Sequence, residues 1–154
     1  LHHVAPGTKL ASIAPLGRFV LQEPLQYDTV FVATGTGVAP FVSHLGHIFQ
    51  NDLDDGHEID LVFGTRYTYE LIYHEQFLRW EREHPNFHYY STVSRPETPD
   101  YKGRVGYVQK IIQNELKDYA SKQVLICGLN NMVEDVQNLC KQLGFALVRF
   151  EKWD

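Results

Sequence analysis

The rhythm of apolar and polar positions changes near residue 28. Before that point the chain is broken by Pro6-Gly7 and Pro15-Leu16-Gly17, with weak alternation over 9–13. A strand-like run over 18–21 follows and stops at Pro24, so residues 1–24 read as turn-punctuated β pieces. After it, short continuous apolar runs alternate with stretches of helical spacing. Thr29-Val-Phe-Val-Ala33 suits a strand buried on both faces, and Val38, Phe41, Val42, Leu45, Ile48 and Phe49 mark one side of a helix. The same pair recurs as a strand over 59–63 and a helix carrying Phe77, Leu78 and Trp80 that stops near Pro85. A third strand is predicted over 87–93, then a polar loop over 94–106, then a helix marked by Val108, Ile111, Ile112 and Leu116. A strand over 123–127, a helix over 133–143 and a strand over 146–150 complete the chain. This order predicts an α/β fold: a doubly wound five-stranded parallel sheet over 25–154, helices on both faces, preceded by a short β segment.

Composition narrows the function. With 154 residues and 44% apolar content, the chain has enough material for one core. Lys and Arg total 14 against 19 Asp and Glu, a net charge of −5, which leaves no broad positive surface for a nucleic acid backbone. A local basic site for a small phosphorylated ligand is compatible with that balance. Two cysteines, Cys127 and Cys140, make no disulfide framework and fit a reducing compartment. No stretch is long and apolar enough to span a membrane, and no basic-then-apolar leader opens the chain, so a cytoplasmic protein without membrane partners is expected. The chain begins at Leu1 and its only methionine is Met132, so it is expected to be part of something longer. His44 and His47 share a helix face without the acid of a His-Glu-x-x-His site, and no metal is expected.

The residues that carry chemistry cluster where strands end. Thr34-Gly35-Thr36-Gly37-Val38 stands at the turn from first strand to first helix, where glycines admit a pyrophosphate and helix amides attract it. A tight turn without a ligand is the alternative. The dinucleotide fingerprint's third glycine is replaced by Pro40, and the second strand ends in Gly64-Thr65-Arg66 rather than in an acid for ribose hydroxyls. Arg66 at that place favours phosphate, or is an ordinary surface charge. Ser94 and Arg95 follow the third strand directly and offer a hydroxyl and a guanidinium to a 2′-phosphate, with Arg104 a candidate second cation. A solvated polar loop is the competing reading. Cys127-Gly128 ends the fourth predicted strand, with Cys127 a small buried residue and Gly128 a place of close approach.

Taken together, Gly-Thr-Gly-Val-Ala-Pro (35–40), Val-Phe-Gly-Thr-Arg (62–66), Ser94-Arg95 and Cys-Gly-Leu-Asn-Asn-Met (127–132) resemble the NAD(P)-binding half of the ferredoxin–NADP reductase superfamily. Residues 1–24 are similar to the tail of that family's FAD-binding β-barrel, whose Arg-x-Tyr-Ser flavin signature is expected ahead of Leu1. The resemblance implies an enzyme in which NADPH gives hydride to FAD and the reduced flavin passes single electrons to ferredoxin or flavodoxin. It places Tyr107 against the adenine, unless that ring packs on its own helix, sets Cys127 near the nicotinamide, and counts Met132 among the cofactor-binding residues. It also gives the closing Glu151-Lys152-Trp153 a part at the flavin, with Trp153 covering the ring and Glu151 the nearby acid; a tryptophan covering an apolar patch is the plain alternative. An NADH-dependent reductase component of an oxygenase or flavohaemoglobin shares every motif except the phosphate pair. A non-catalytic nucleotide-binding module is the rival from outside the enzymes.

Overall fold

The computed structural model describes residues 4–11 and 19–153. Its framework is a sheet of six parallel strands in the order β4-β3-β2-β1-β5-β6. These are β1 (Asp28–Thr34), β2 (Ile59–Thr65), β3 (Phe87–Val93), β4 (Arg104–Val105), β5 (Lys122–Leu129) and β6 (Leu147–Trp153). Four helices connect them: α1 (Ala39–Asn51), α2 (His74–Glu83), α3 (Val108–Asn114) and α4 (Asn130–Leu143).

Strand alternation sorts the core into two layers. Phe31, Ala33, Leu61, Phe63, Leu125 and Cys127 point to one face, where Phe41, Leu45 and Ile48 of α1 and Phe77 and Trp80 of α2 cover them. Val30, Val32, Val62, Val124 and Ile126 point to the other face, against α3 and against Val133, Val136 and Cys140 of α4. Burial on both faces explains why β1, β2 and β5 read as continuous apolar runs without alternation. The sheet has six strands where five were expected. The extra strand, β4, pairs only Arg104 and Val105 with Thr92 and Val93, and two residues are too few to show a period. Ahead of β1, Phe19 and Leu21 pack against the first core layer outside the sheet, and residues 12–18 of the predicted β segment lie outside the described residues.

Connectivity fixes where a ligand can sit. From β1 the chain winds outward through β2 and β3 to β4, then returns across α3 to β5 on the other side of β1. The order therefore reverses between β1 and β5, and a crevice opens above their carboxyl ends. At the opposite end of the strands, Lys122 of β5 reaches buried Asp60 of β2 at 3.3 Å and Asp28 of β1 at 4.0 Å. Asp28 in turn meets His57 Nδ1 at 3.1 Å. This ionic knot joins the three central strands away from the crevice.

Candidate functional site

The crevice is a cleft of about 820 Å³, within the size range of small-molecule sites. Loops from β1, β2, β3 and β5 line it, together with the start of α3 and the first turns of α4. Of the residues expected from sequence, Thr34, Gly35, Thr36, Gly37, Arg66, Ser94, Arg95, Tyr107, Gly128 and Met132 all lie on its walls.

The floor is built by close backbone approach. Gly35–Val38 form one 3₁₀ turn before α1, with Gly35 at φ +54°, in the left-handed region that glycine enters at little cost. A β-carbon on Gly37 would strike the carbonyl oxygen of Cys127 and come within 2.8 Å of the α-carbon of Gly128. These two segments therefore touch along their backbones. Pro40 stands in the first turn of α1, where its missing N–H removes no helical hydrogen bond, so the departure from the three-glycine fingerprint leaves the helix start intact. Among the described residues neither α1 nor α4 has a side-chain hydrogen bond at its N-cap; α4 opens on the cleft with Asn130 and Asn131, and α1 follows the cleft-lining turn that ends at Gly37 and Val38. Thr34 Oγ1 and Gln109 Oε1, also on the cleft residues, are buried without a hydrogen-bond partner among the described residues. Glycine cradle, helix starts and orphaned oxygens together fit a dinucleotide with a charged diphosphate and polar ends.

The far lip carries the cations. The β2–β3 ladder ends at Thr65 opposite Val93, and two more backbone hydrogen bonds continue it. Ser94 N donates to Thr65 O at 2.9 Å and Arg95 N to Arg66 O at 2.8 Å, which sets Arg66 and Arg95 side by side. Among the described residues neither arginine is engaged in a salt bridge. The Ser94 hydroxyl donates to Thr65 O over a long 3.4 Å, a weak bond that a stronger acceptor would displace. Tyr107 lies at the cleft rim, 68% exposed, instead of packing onto α3.

Four expected residues are not on the cleft walls, and the side chain of a fifth is not described. Arg104 is not on the cleft: its guanidinium grips Glu115 in a bidentate pair, with bonds of 2.7, 3.0 and 2.7 Å, and lies 5.2 Å over the Tyr90 ring. That pairing holds its pKa above the ordinary arginine value, with the Glu115 hydrogen bonds outweighing desolvation. Val38 is wholly buried in the first core layer, and so is the Cys127 side chain; Gly128 and Leu129 are what β5 presents to the cleft. Glu151 lines a separate, smaller hollow with Phe19, Arg149, Phe150 and Lys152. The Trp153 backbone closes β6 opposite Leu129, and its side chain lies outside the described residues.

Several lining residues escaped the sequence reading. Asp135 follows Met132 by three positions and so shares its helix face, a spacing that was there to be used. Glu70 gave no signal, because its part is local: its Oε2 accepts from the amides of Arg66 at 3.0 Å and Tyr67 at 3.1 Å.

A six-stranded, doubly wound sheet with a glycine-floored, cation-lipped cleft at its switch point is the architecture of nucleotide-binding oxidoreductase domains. Residues 31–138 match the family described as oxidoreductase NAD-binding domain, and the chain belongs to it, as an NAD(P)-binding domain of the ferredoxin–NADP reductase superfamily. It is 33% identical over 165 residues to ferredoxin–NADP reductase B of Sorangium cellulosum (strain So ce56), covering 100% of this chain and 66% of that protein. It is 29% identical over 144 residues to one component of the Na(+)-translocating NADH-quinone reductase of Klebsiella pneumoniae, covering 90% and 35%. Among solved structures it superposes on the Amycolatopsis cytochrome P450 reductase with a TM-score of 0.78 at 26% identity, over 90% of this chain and 42% of that one. The chain thus spans between 35% and 66% of the length of these proteins.

Proposed function

We propose that the cleft binds NADP(H), and that the chain is the nucleotide-binding half of a flavin-dependent oxidoreductase that serves ferredoxin or flavodoxin. The carrying observation is the pair Arg66 and Arg95, set together on the cleft lip by the 2.8 Å bond between their backbones, with neither side chain in a salt bridge among the described residues. Two such cations beside Ser94 suit a phosphate monoester on a ribose, where a carboxylate would repel it.

In this reading the diphosphate rests on Gly35–Val38 and the α1 start, the adenine lies by Tyr107, and the nicotinamide end reaches Gly128 and Met132. The nicotinamide, when bound, supplies hydride chemistry directed at a flavin of the longer protein. The chain's own residues bind and orient: the backbone contact of Gly37 with β5 holds the floor, and the buried Cys127 side chain shapes it from behind. An NADH-using enzyme is the second reading, supported by the relative named as part of an NADH-quinone reductase.

Titration of NADPH, NADH and their fragments against the wild type and Arg95→Ala separates the two. The proposal expects Arg95→Ala to weaken NADP(H) by roughly 30- to 150-fold, the equivalent of one charge-assisted contact of about 2–3 kcal/mol, with NAD(H) nearly unchanged. Equal affinity of the wild type for both nucleotides, or equal loss of both, overturns it in favour of NADH.

A further inference from the structure

Beyond Arg95 and Arg66 the two loops do not separate. Thr68 stands two residues after Arg66, and Glu97 two residues after Arg95. The Glu97 carboxylate accepts from the Thr68 hydroxyl at 2.8 and 2.9 Å and from the Thr68 amide at 3.1 and 3.3 Å. The arginine pair is therefore held between two closures. On its inner side the β2–β3 ladder ends at Thr65 and Val93, and on its outer side Glu97 grips Thr68. Glu70 adds a third hold by capping the amides of Arg66 and Tyr67.

We infer that Glu97 is a positioning residue for the anion site: by clamping Thr68 it fixes the loops that carry Arg66 and Arg95 at one spacing, and so sets selectivity for a ribose phosphate that it does not touch. The inference rests on reading those arginines as the 2′-phosphate site. Its physical basis is preorganisation, since two loops already joined lose less freedom when a ligand bridges their side chains. The sign of the effect is diagnostic. A carboxylate near a dianion repels it, so electrostatics alone makes removal of Glu97 tighten phosphate binding. A clamp makes removal loosen it. Glu97 is exposed; desolvation, the largest single influence, works to raise its pKa, but the hydrogen bonds it accepts together outweigh it and hold the carboxyl below the ordinary value. It therefore stays ionised as an acceptor at neutral pH.

The test is calorimetric titration of 2′,5′-ADP and 5′-AMP against the wild-type chain, Glu97→Ala, Glu97→Gln, Thr68→Val and the Glu97→Ala/Thr68→Val double variant. The expected result is a loss of about 3- to 10-fold in 2′,5′-ADP affinity for Glu97→Ala, with 5′-AMP unchanged within about twofold. Glu97→Gln, whose amide oxygen still accepts from Thr68, recovers most of the loss, and the double variant is no worse than either single one. Tighter 2′,5′-ADP binding in both Glu97 variants, or equal weakening of both nucleotides, overturns the inference. A wild type that does not prefer 2′,5′-ADP to 5′-AMP overturns the underlying phosphate site instead, which separates the two failures.

Discussion

The carbonyl oxygen of Cys127 occupies the space that a β-carbon on Gly37 would need. Both neighbours are backbone, on β5 and on the turn into α1, so neither yields as a side chain would. Gly37→Ala is expected to cost about 1–3 kcal/mol of stability through overpacking and to lower dinucleotide affinity more than about tenfold by lifting the cleft floor. Urea unfolding and nucleotide titration read the two effects. Gly46→Ala is the control: its nearest neighbours are Trp80 ring atoms at 3.9 and 4.0 Å, and alanine inside α1 is expected to raise stability by about 0.5–1 kcal/mol.

Arg95 follows β3 and Arg104 opens β4, nine residues on, but the two are expected to behave oppositely. Arg104→Ala breaks a half-exposed pair with Glu115 that ties β4 to the end of α3. It should lower stability by about 1 kcal/mol or less and leave the preference between NADPH and NADH where it was. A change in that preference comparable to the Arg95→Ala effect would return Arg104 to the site.

The knot at the far end of the sheet carries a pH signature. Burial holds the Asp60 carboxyl above its ordinary value, with Lys122 opposing that rise. A raised acid pKa means that the folded chain holds this proton more tightly than the unfolded one. Its contribution therefore favours folding at low pH and is lost as pH rises from the unfolded value through the folded one. Lys122→Met removes the opposing cation and is expected to cost about 3–5 kcal/mol near neutral pH, less in mild acid. The double variant Asp60→Leu/Lys122→Met should recover most of it and lose the pH dependence. Urea midpoints measured across about pH 5 to about 8 decide the matter.

Trp153 extends β6 past Glu151 and Lys152, which pair with Cys127 and Gly128. In a longer, flavin-loaded protein, deleting residues 153 and 154 is expected to raise nicotinamide occupancy and NADH use, read from the charge-transfer absorbance and the KM for NADH. No change in either would make Trp153 an ordinary packing residue.

Most of the architecture was legible because the central strands are buried on both faces. Runs such as Val30–Val32 and Val124–Ile126 have no polar positions to confuse the period, and their helices repeat apolar residues at the expected spacing. The cleft floor was legible for a related reason, since glycines between a strand and a helix have few other uses. What stayed hidden depends on long-range partners. Nothing near Arg104 in sequence announces that Glu115 will claim its guanidinium, 11 residues on. Glu97 looks like any loop acid until folding brings Thr68 to it across 29 positions. Strand β4 is invisible for want of length, and it follows a polar loop that reads as irregular.

The cleft floor joins pieces from opposite ends of the chain, and this has a thermodynamic consequence. The pairing of β1 with β5 brings together residues as distant as Thr29 and Gln123, 94 positions apart, and only that pairing sets Gly37 against Cys127. A nucleotide that needs both walls has nothing to bind in a half-assembled chain. It should act as a clasp on the entire sheet: at a hundred times its dissociation constant it adds about 2.7 kcal/mol to global unfolding. That gain would be shared by amides of the central strands that never meet the ligand, so slow hydrogen exchange at the start of β2, over Ile59 to Leu61 and at the opposite end from the cleft, becomes a gauge of its occupancy.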